Sequence, residues 1–213
     1  MKLNPLVSAS IVAAVLLMAG CASTGYEKAG DTSCTIEKTA RNIHKGNGQI
    51  DSVLFSLSSL VNSPEADIKS QFEKFNTSVS KLEKLSNDVN AQSVAMQTQG
   101  ADYFRTWDEE LAKIQNEDIR SRSTDRKNAV AARFEKVRIS YAQAKADFVP
   151  FMSDLKDIRT ALATDLTAGG IASIKSVANK ADDNAAPLRK SLTNLEQDFK
   201  DLGVSLSSTT SAK

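Results

Sequence analysis

Apolar residues recurring every seven positions constrain this chain more than any other feature. Ile68, Phe75, Leu82, Val89, Met96 and Tyr103 keep that interval without a break. A strand sends successive side chains to opposite faces, whereas two helical turns take about 7.2 residues, so a seven-residue repeat draws one apolar seam along a helix. Sustained this long, it specifies a long helix packed in a coiled-coil-like bundle. The companion seam holds Phe72, Val79, Ser86, Ser93, Gly100 and Trp107, and thins in its middle. Ser86, Ser93 and Gly100 either let another helix come close or mark a softer, partly hydrated stretch.

The rest of the chain follows the same period. Ser63-Pro64-Glu65-Ala66 reads as a helix start, with a capping serine, a proline suited to the first helical position and an acid in the first turn. Before it, Ile50, Val53, Leu54, Leu57 and Leu60 share a face, while Gly46 and Gly48 predict a kink or break. The pattern lapses near Gln115–Asp118, where Asn116 can cap the next helix. From Val130 to Leu162 apolar steps of four and three alternate, with Pro150 predicting a kink near residues 145–147 and Gly169-Gly170 a stop. A last seam runs from Ile171 to Leu202, interrupted by Pro187 and closed by Gly203. No segment alternates as a strand would. The expectation is an all-α protein, an elongated antiparallel helical bundle or coiled coil.

Helix lengths then suggest a shape. Two central helices of about 50 residues would span ~75 Å, and outer helices of about 30 residues ~45 Å, at 1.5 Å per residue. The outer pair would cover only part of the central hairpin. The bundle domain at 33–204 thus becomes a four-helix base with a protruding two-helix hairpin, an arm at about 95–138. Asp102, Asp108, Glu109 and Glu110 lie on the arm's outgoing helix. Arg120, Arg122, Arg126, Lys127, Arg133, Lys136 and Arg138 lie on its returning one. These opposed charges would pair the arm's helices; alternatively Arg120, Arg122, Arg126 and Lys127 form a docking surface for an acidic partner or an anionic surface polymer. Trp107 and Tyr103, on the arm's seam, are expected in the core.

The N-terminus carries an address. Met1-Lys2 precedes an apolar run from Leu6 to Ala19, broken by Ser8 and Ser10 and too short to cross a bilayer comfortably, which takes ~20 residues. That is the layout of a secretory signal peptide over residues 1–20. Its close, Leu16-Leu17-Met18-Ala19-Gly20-Cys21, resembles the lipobox of bacterial lipoproteins, with Met18 where leucine is usual. The resemblance makes Cys21 the lipidated first residue of the mature chain, attached to the membrane through palmitate and related acyl groups. Ala22 and Ser23 after it, rather than Asp, imply the outer membrane facing the periplasm. A cleaved soluble form and an uncleaved anchor are the alternatives. Residues 21–32 are small, polar and glycine-bearing, and read as a flexible tether; the Ser/Thr-rich residues 205–213 read as a disordered tail.

Composition narrows the chemistry. There are 27 basic residues, one of them Lys2, against 26 acidic ones, so the segment after the signal is neutral and lacks the cationic surface that nucleic-acid binding needs. With Cys21 lipidated, Cys34 has no partner within the chain. It is either a free thiol or half of an intermolecular disulfide in the oxidising periplasm, which would make a homo-oligomer through Cys34; the helical arm offers another route to one. The single histidine, His44, reads as an exposed helix-end residue and would have to carry any Ser-His-Asp or Cys-His scheme alone. One histidine cannot supply the paired Glu-x-x-His motifs of a di-iron bundle. No phosphate loop or dinucleotide fingerprint occurs. Neighbouring acids such as Asp108-Glu109-Glu110 and Asp182-Asp183 diverge around a helix and cannot converge on one ion. The expectation is no enzyme, no catalytic residues, no metal and no cofactor.

Several runs carry a wider resemblance: Tyr103-Phe104-Arg105-Thr106-Trp107-Asp108-Glu109-Glu110-Leu111, Arg133-Phe134 to Tyr141, Phe148-Val149-Pro150-Phe151-Met152-Ser153-Asp154-Leu155, and Asp165-Leu166-Thr167 to Ile174-Lys175. They resemble a family of bacterial envelope proteins catalogued as a domain of unknown function, some members loosely labelled DNA repair ATPases. The resemblance implies a helical, secreted, often lipid-anchored protein and supplies no catalytic residue. The leading expectation is a lipid-anchored periplasmic scaffold or adaptor that binds an envelope protein partner through its arm. A bundle that admits a lipid or other amphiphile at the small-residue seam is the alternative. An envelope stress or sensor component and a hydrolase centred on His44 complete the set.

Overall fold

The computed structural model describes residues 25–62 and 67–206, in four helices: α1 Gly25–Asn62, α2 Ile68–Leu111, α3 Glu117–Thr164 and α4 Ala168–Leu206. No strand occurs among the described residues. The protein is an all-α helical bundle.

Each turn is built by short polar residues. Asp67 caps α2, its carboxylate accepting the backbone N–H of Ser70 at 3.0 Å, whereas Ser63–Ala66, the expected cap, lies outside the described residues. Asn116 caps α3 as its position predicts, accepting from the Ile119 N–H at 3.0 Å. At the α3–α4 connection Thr167 accepts from the Gly170 N–H at 3.2 Å and donates to Asp165 at 2.7 Å. Gly169 and Gly170 therefore open α4 instead of stopping α3. A Cβ on Gly170 would collide with the Asp165 carbonyl, which is why the chain turns so tightly there.

Side-chain pairs fix the topology. Gln49 reaches the Ser78 carbonyl and Asn42 reaches Gln92, so α1 and α2 run antiparallel. Arg159 meets Glu83, and Trp107 meets Ser123, which does the same for α2 and α3. Asn184 bonds Asp154, Ser140 bonds Asp198 and Arg133 bonds the Asp201 carbonyl between α3 and α4. Arg189 pairs with Asp51 at 2.5 Å, closing α4 onto α1. The arrangement is up-down-up-down, with α2 and α3 meeting over a smaller surface than the other neighbours.

The protruding arm is largely absent. α1 has 38 residues and α4 has 39, against 44 in α2 and 48 in α3, so the four lengths are nearly matched. Lys28 at the start of α1 donates to Thr106 at 3.0 Å, and Ser205 at the end of α4 accepts from Arg126. Only the α2–α3 turn and its flanking coils extend beyond the outer helices. Two misread stretches explain the difference. Gly46 and Gly48 do not break α1, and residues 25–32, read as part of a tether, are helical. Thr32 and Ile36 are buried there, and burial outweighs the ~1 kcal/mol that glycine costs a helix. α4 likewise continues to Leu206, into the segment read as tail. Pro150 and Pro187 both sit inside unbroken helices.

The core falls into two clusters. One, near the α3–α4 turn, gathers Phe75, Leu82, Phe151, Leu155, Leu162 and Leu188. The other, toward the α2–α3 turn, gathers Ile36, Ile43, Met96, Val137, Phe199 and Leu202. Leu192 packs against both. Burying one such side chain contributes ~1.5–3 kcal/mol.

Candidate functional site

A half-open pocket lies at the level where the two core clusters meet. This cavity of about 340 Å³ occupies the bundle's waist, touched by all four helices. Its interior is apolar: Ile43 and Ile50 come from α1, Leu82 and Val89 from α2, Phe148 from α3, Leu195 from α4. Space exists there because small residues face one another. Gly46 of α1, Ser86 of α2 and Ala144 of α3 all line it, and a Cβ on Gly46 would meet nothing within 4 Å. In the antiparallel register Pro150 of α3 lies at this level too. Lacking an N–H, it frees the Ala146 carbonyl from its helical bond.

The exposed lining residues lie on α2 and α3, the pair in looser contact, and mix polar groups with the exposed Val149. Tyr141 donates its hydroxyl to Asn90 Oδ1 at 2.8 Å across this helix pair. Burial pushes the Tyr141 phenol above its ordinary range, so it stays protonated and remains a donor. Asn42 at the rim donates to Gln92 at 3.1 Å. Asn87 and Lys145 complete the rim, and Lys145 is the charged residue among those lining the cavity. No described residue offers Lys145 an ion pair.

The small-residue seam thus divides by position. Ser86 opens onto the cavity. Gly100 does the reverse: the Phe134 ring packs so closely that a Cβ on Gly100 would sit 2.6 Å from Phe134 Cε1. Ser93, between them, is buried with its hydroxyl unpartnered among the described residues. Close approach and an open stretch, alternatives in the sequence, are realised a few turns apart on one helix.

The basic residues of the supposed arm are mostly engaged within the protein. Arg120 pairs with Glu117 and Arg122 with Asp118, each within its own helix. Arg126 donates to the Ser205 carbonyl, and Lys127 pairs with Asp108 across the α2–α3 pair. Only that last contact is the expected match of opposed arm charges. Arg105 turns to Asp102 and Glu109 on its own helix, and Lys136 pairs with the buried Asp198 of α4 at 2.7 Å. Tyr103 is buried and stacks near Trp107 with ring centroids 5.3 Å apart, as expected of seam residues.

His44 is an exposed residue in the middle of α1 rather than at a helix end. Its Nδ1 lies 3.4 Å from Glu196, which also binds Lys200 at 2.6 Å. Burial alone would raise the Glu196 carboxyl, but Lys200 and His44 hold it below the usual carboxylate range. Cys34 is exposed and free, and Cys21 lies outside the described residues. Among the described residues no group of three His, Cys, Asp or Glu side chains is placed to hold a metal ion. No helix among them is long and apolar enough to cross a membrane.

Sequence reasoning found Ser86 but missed Gly46, Tyr141, Lys145 and Phe148 as parts of one site. The available signal was a coincidence of level: the antiparallel register sets Gly46, Ser86 and Ala144 side by side, each small on a face otherwise occupied by large apolar residues.

Fold and site define a class, an antiparallel four-helix bundle with an apolar cavity at its waist. Over residues 19–201 the chain matches the family described as Protein of unknown function (DUF2959), and it belongs to that family. No curated protein matches the chain, and no solved structure matches it.

Proposed function

We propose that this protein is a non-enzymatic, lipid-anchored bundle of the cell envelope that holds an amphiphile in its waist. The observation that carries this reading is the 340 Å³ cavity between two closed core clusters. A half-open pocket with apolar walls exposes side-chain surface to water, and an apolar ligand would remove that surface from water. The volume lies in the range of small-molecule sites, roughly 300–1,000 Å³, and the site has their pattern of apolar walls with a few polar groups at one end.

The lipobox-like Cys21 and the apolar run before it support attachment to the outer membrane, facing the periplasm. A scaffold acting through a basic arm has weaker support, since Arg120, Arg122, Arg126 and Lys127 all find partners within the chain.

The test is uptake of an apolar fluorescent dye, N-phenyl-1-naphthylamine, by the purified protein, with native mass spectrometry of the same sample. Saturable uptake that Gly46→Leu abolishes in a folded variant supports the reading. Uptake unaffected by Gly46→Leu, or no uptake and no co-purified ligand, overturns it.

A further inference from the structure

The charge lining the cavity is of one sign, and this specifies the ligand further than its apolar walls do. Lys145 stands at the mouth on α3. Of the acids next to lining residues on α2 and α3, Asp147 and Glu83 have partners, while Asp88 forms no ion pair among the described residues. Asp147 accepts the Gln143 amide at 3.0 Å along its own helix, and Glu83 is held by Arg159 and Lys156 at 3.1 Å each. Burial would raise the Glu83 carboxyl, yet these two cations keep it lowered, so it stays an anion bound to them. Lys145 faces the mouth as a cation without an ion pair among the described residues. The neighbouring rim groups extend the same preference. Tyr141 is a neutral phenol, and Asn87 carries an amide that makes no hydrogen bond among the described residues.

We propose that the cavity binds a single-chain amphiphile with an anionic head, its chain between the two core clusters and its carboxylate or phosphate at Lys145. This rests on the cavity being a ligand site. One chain, not two, fits a volume at the low end of the roughly 300–1,000 Å³ that ligand pockets span. The head is anionic because a charge-assisted hydrogen bond to an ammonium is stronger than a neutral one. It stays at the mouth because burying a charge in the apolar interior carries a large desolvation cost.

The experiment displaces the dye from the full-length protein with four twelve-carbon probes: dodecanoate, dodecyl phosphate, dodecanol and dodecylammonium. Both anions should bind about tenfold more tightly than the alcohol, the difference expected of one hydrogen bond to a charged group. The ammonium should bind more weakly than the alcohol. Lys145→Gln, at an exposed position, should erase the preference for the anions over dodecanol. A phosphate advantage over carboxylate assigns the head to phosphomonoester lipids, and the reverse assigns it to fatty acids. Equal displacement by all four probes, or a preference that survives Lys145→Gln, overturns the anionic-head assignment and leaves the cavity reading intact. If no probe displaces the dye and Gly46→Leu has no effect on its uptake, both fail.

Discussion

Glycines in this bundle act in opposite senses according to what faces them. Gly48 is exposed in α1 with nothing near its would-be Cβ, so it offers the helix only backbone entropy to lose. Gly48→Ala should raise unfolding free energy by about 0.5–1 kcal/mol. Gly100→Ala should lower it by roughly 1–3 kcal/mol, because its methyl group would push into the Phe134 ring. Urea denaturation of the two variants beside the parent checks both signs; destabilisation by Gly48→Ala, or tolerance of Gly100→Ala, contradicts this account. At this scale the sequence was only half legible. The thinning at Ser86, Ser93 and Gly100 was visible on α2. What met each small residue depended on Phe134 and Ala144, which sit on another helix and are related to it only by register.

Between helices, polar pairs set that register, and one of them sets a response to pH. Glu83 of α2 accepts from Arg159 and Lys156 of α3, next to the cavity. Those two cations hold its carboxyl below the ordinary glutamate range, despite the upward pull of burial. A carboxyl with a lowered folded-state pKa stabilises the fold above its unfolded value and loses that contribution as pH falls through the folded one. The urea midpoint should therefore decline as pH drops from 5 toward 3, and Glu83→Gln should flatten the decline. An unchanged pH profile in that variant would show that the pair contributes nothing. The seven-residue seam of α2 and the cap at Asn116 could be read directly, because both are local. The ends of α1 were not. Gly25 to Thr32 look like linker by composition, and only the packing of Thr32 and Ile36 against other helices makes them helical. Misjudging those few turns lengthened the apparent arm, since the extent of a hairpin's exposure is set by the helices that cover it.

For the molecule as a whole, antiparallel packing decides which end a lipid on Cys21 would bring to a membrane. Lys28 contacts Thr106, so α1 begins beside the α2–α3 turn. Cys21 precedes Gly25 by four residues, at most about 14 Å of extended chain. With lipid on Cys21, the turn between α2 and α3 has to face the bilayer. Trp107, the chain's one tryptophan, lies near that turn and reports on it alone. Lipidated protein reconstituted with brominated lipids should show quenched Trp107 emission relative to ordinary vesicles, and Cys21→Ser should abolish the quenching. Equal emission in both vesicles would mean that the bundle lies elsewhere.

The same Lys28–Thr106 contact gives the cavity an altitude. Some 25 residues of α2 separate Ser86 from Leu111, so the mouth stands roughly 35 Å above the turn along the helix axis. A single acyl chain still seated in the bilayer is too short to bridge that height. On the proposed reading, an upright bundle would receive its ligand from the aqueous space or from another protein, and a lipid on Cys21 would hold the pocket at that height above the bilayer.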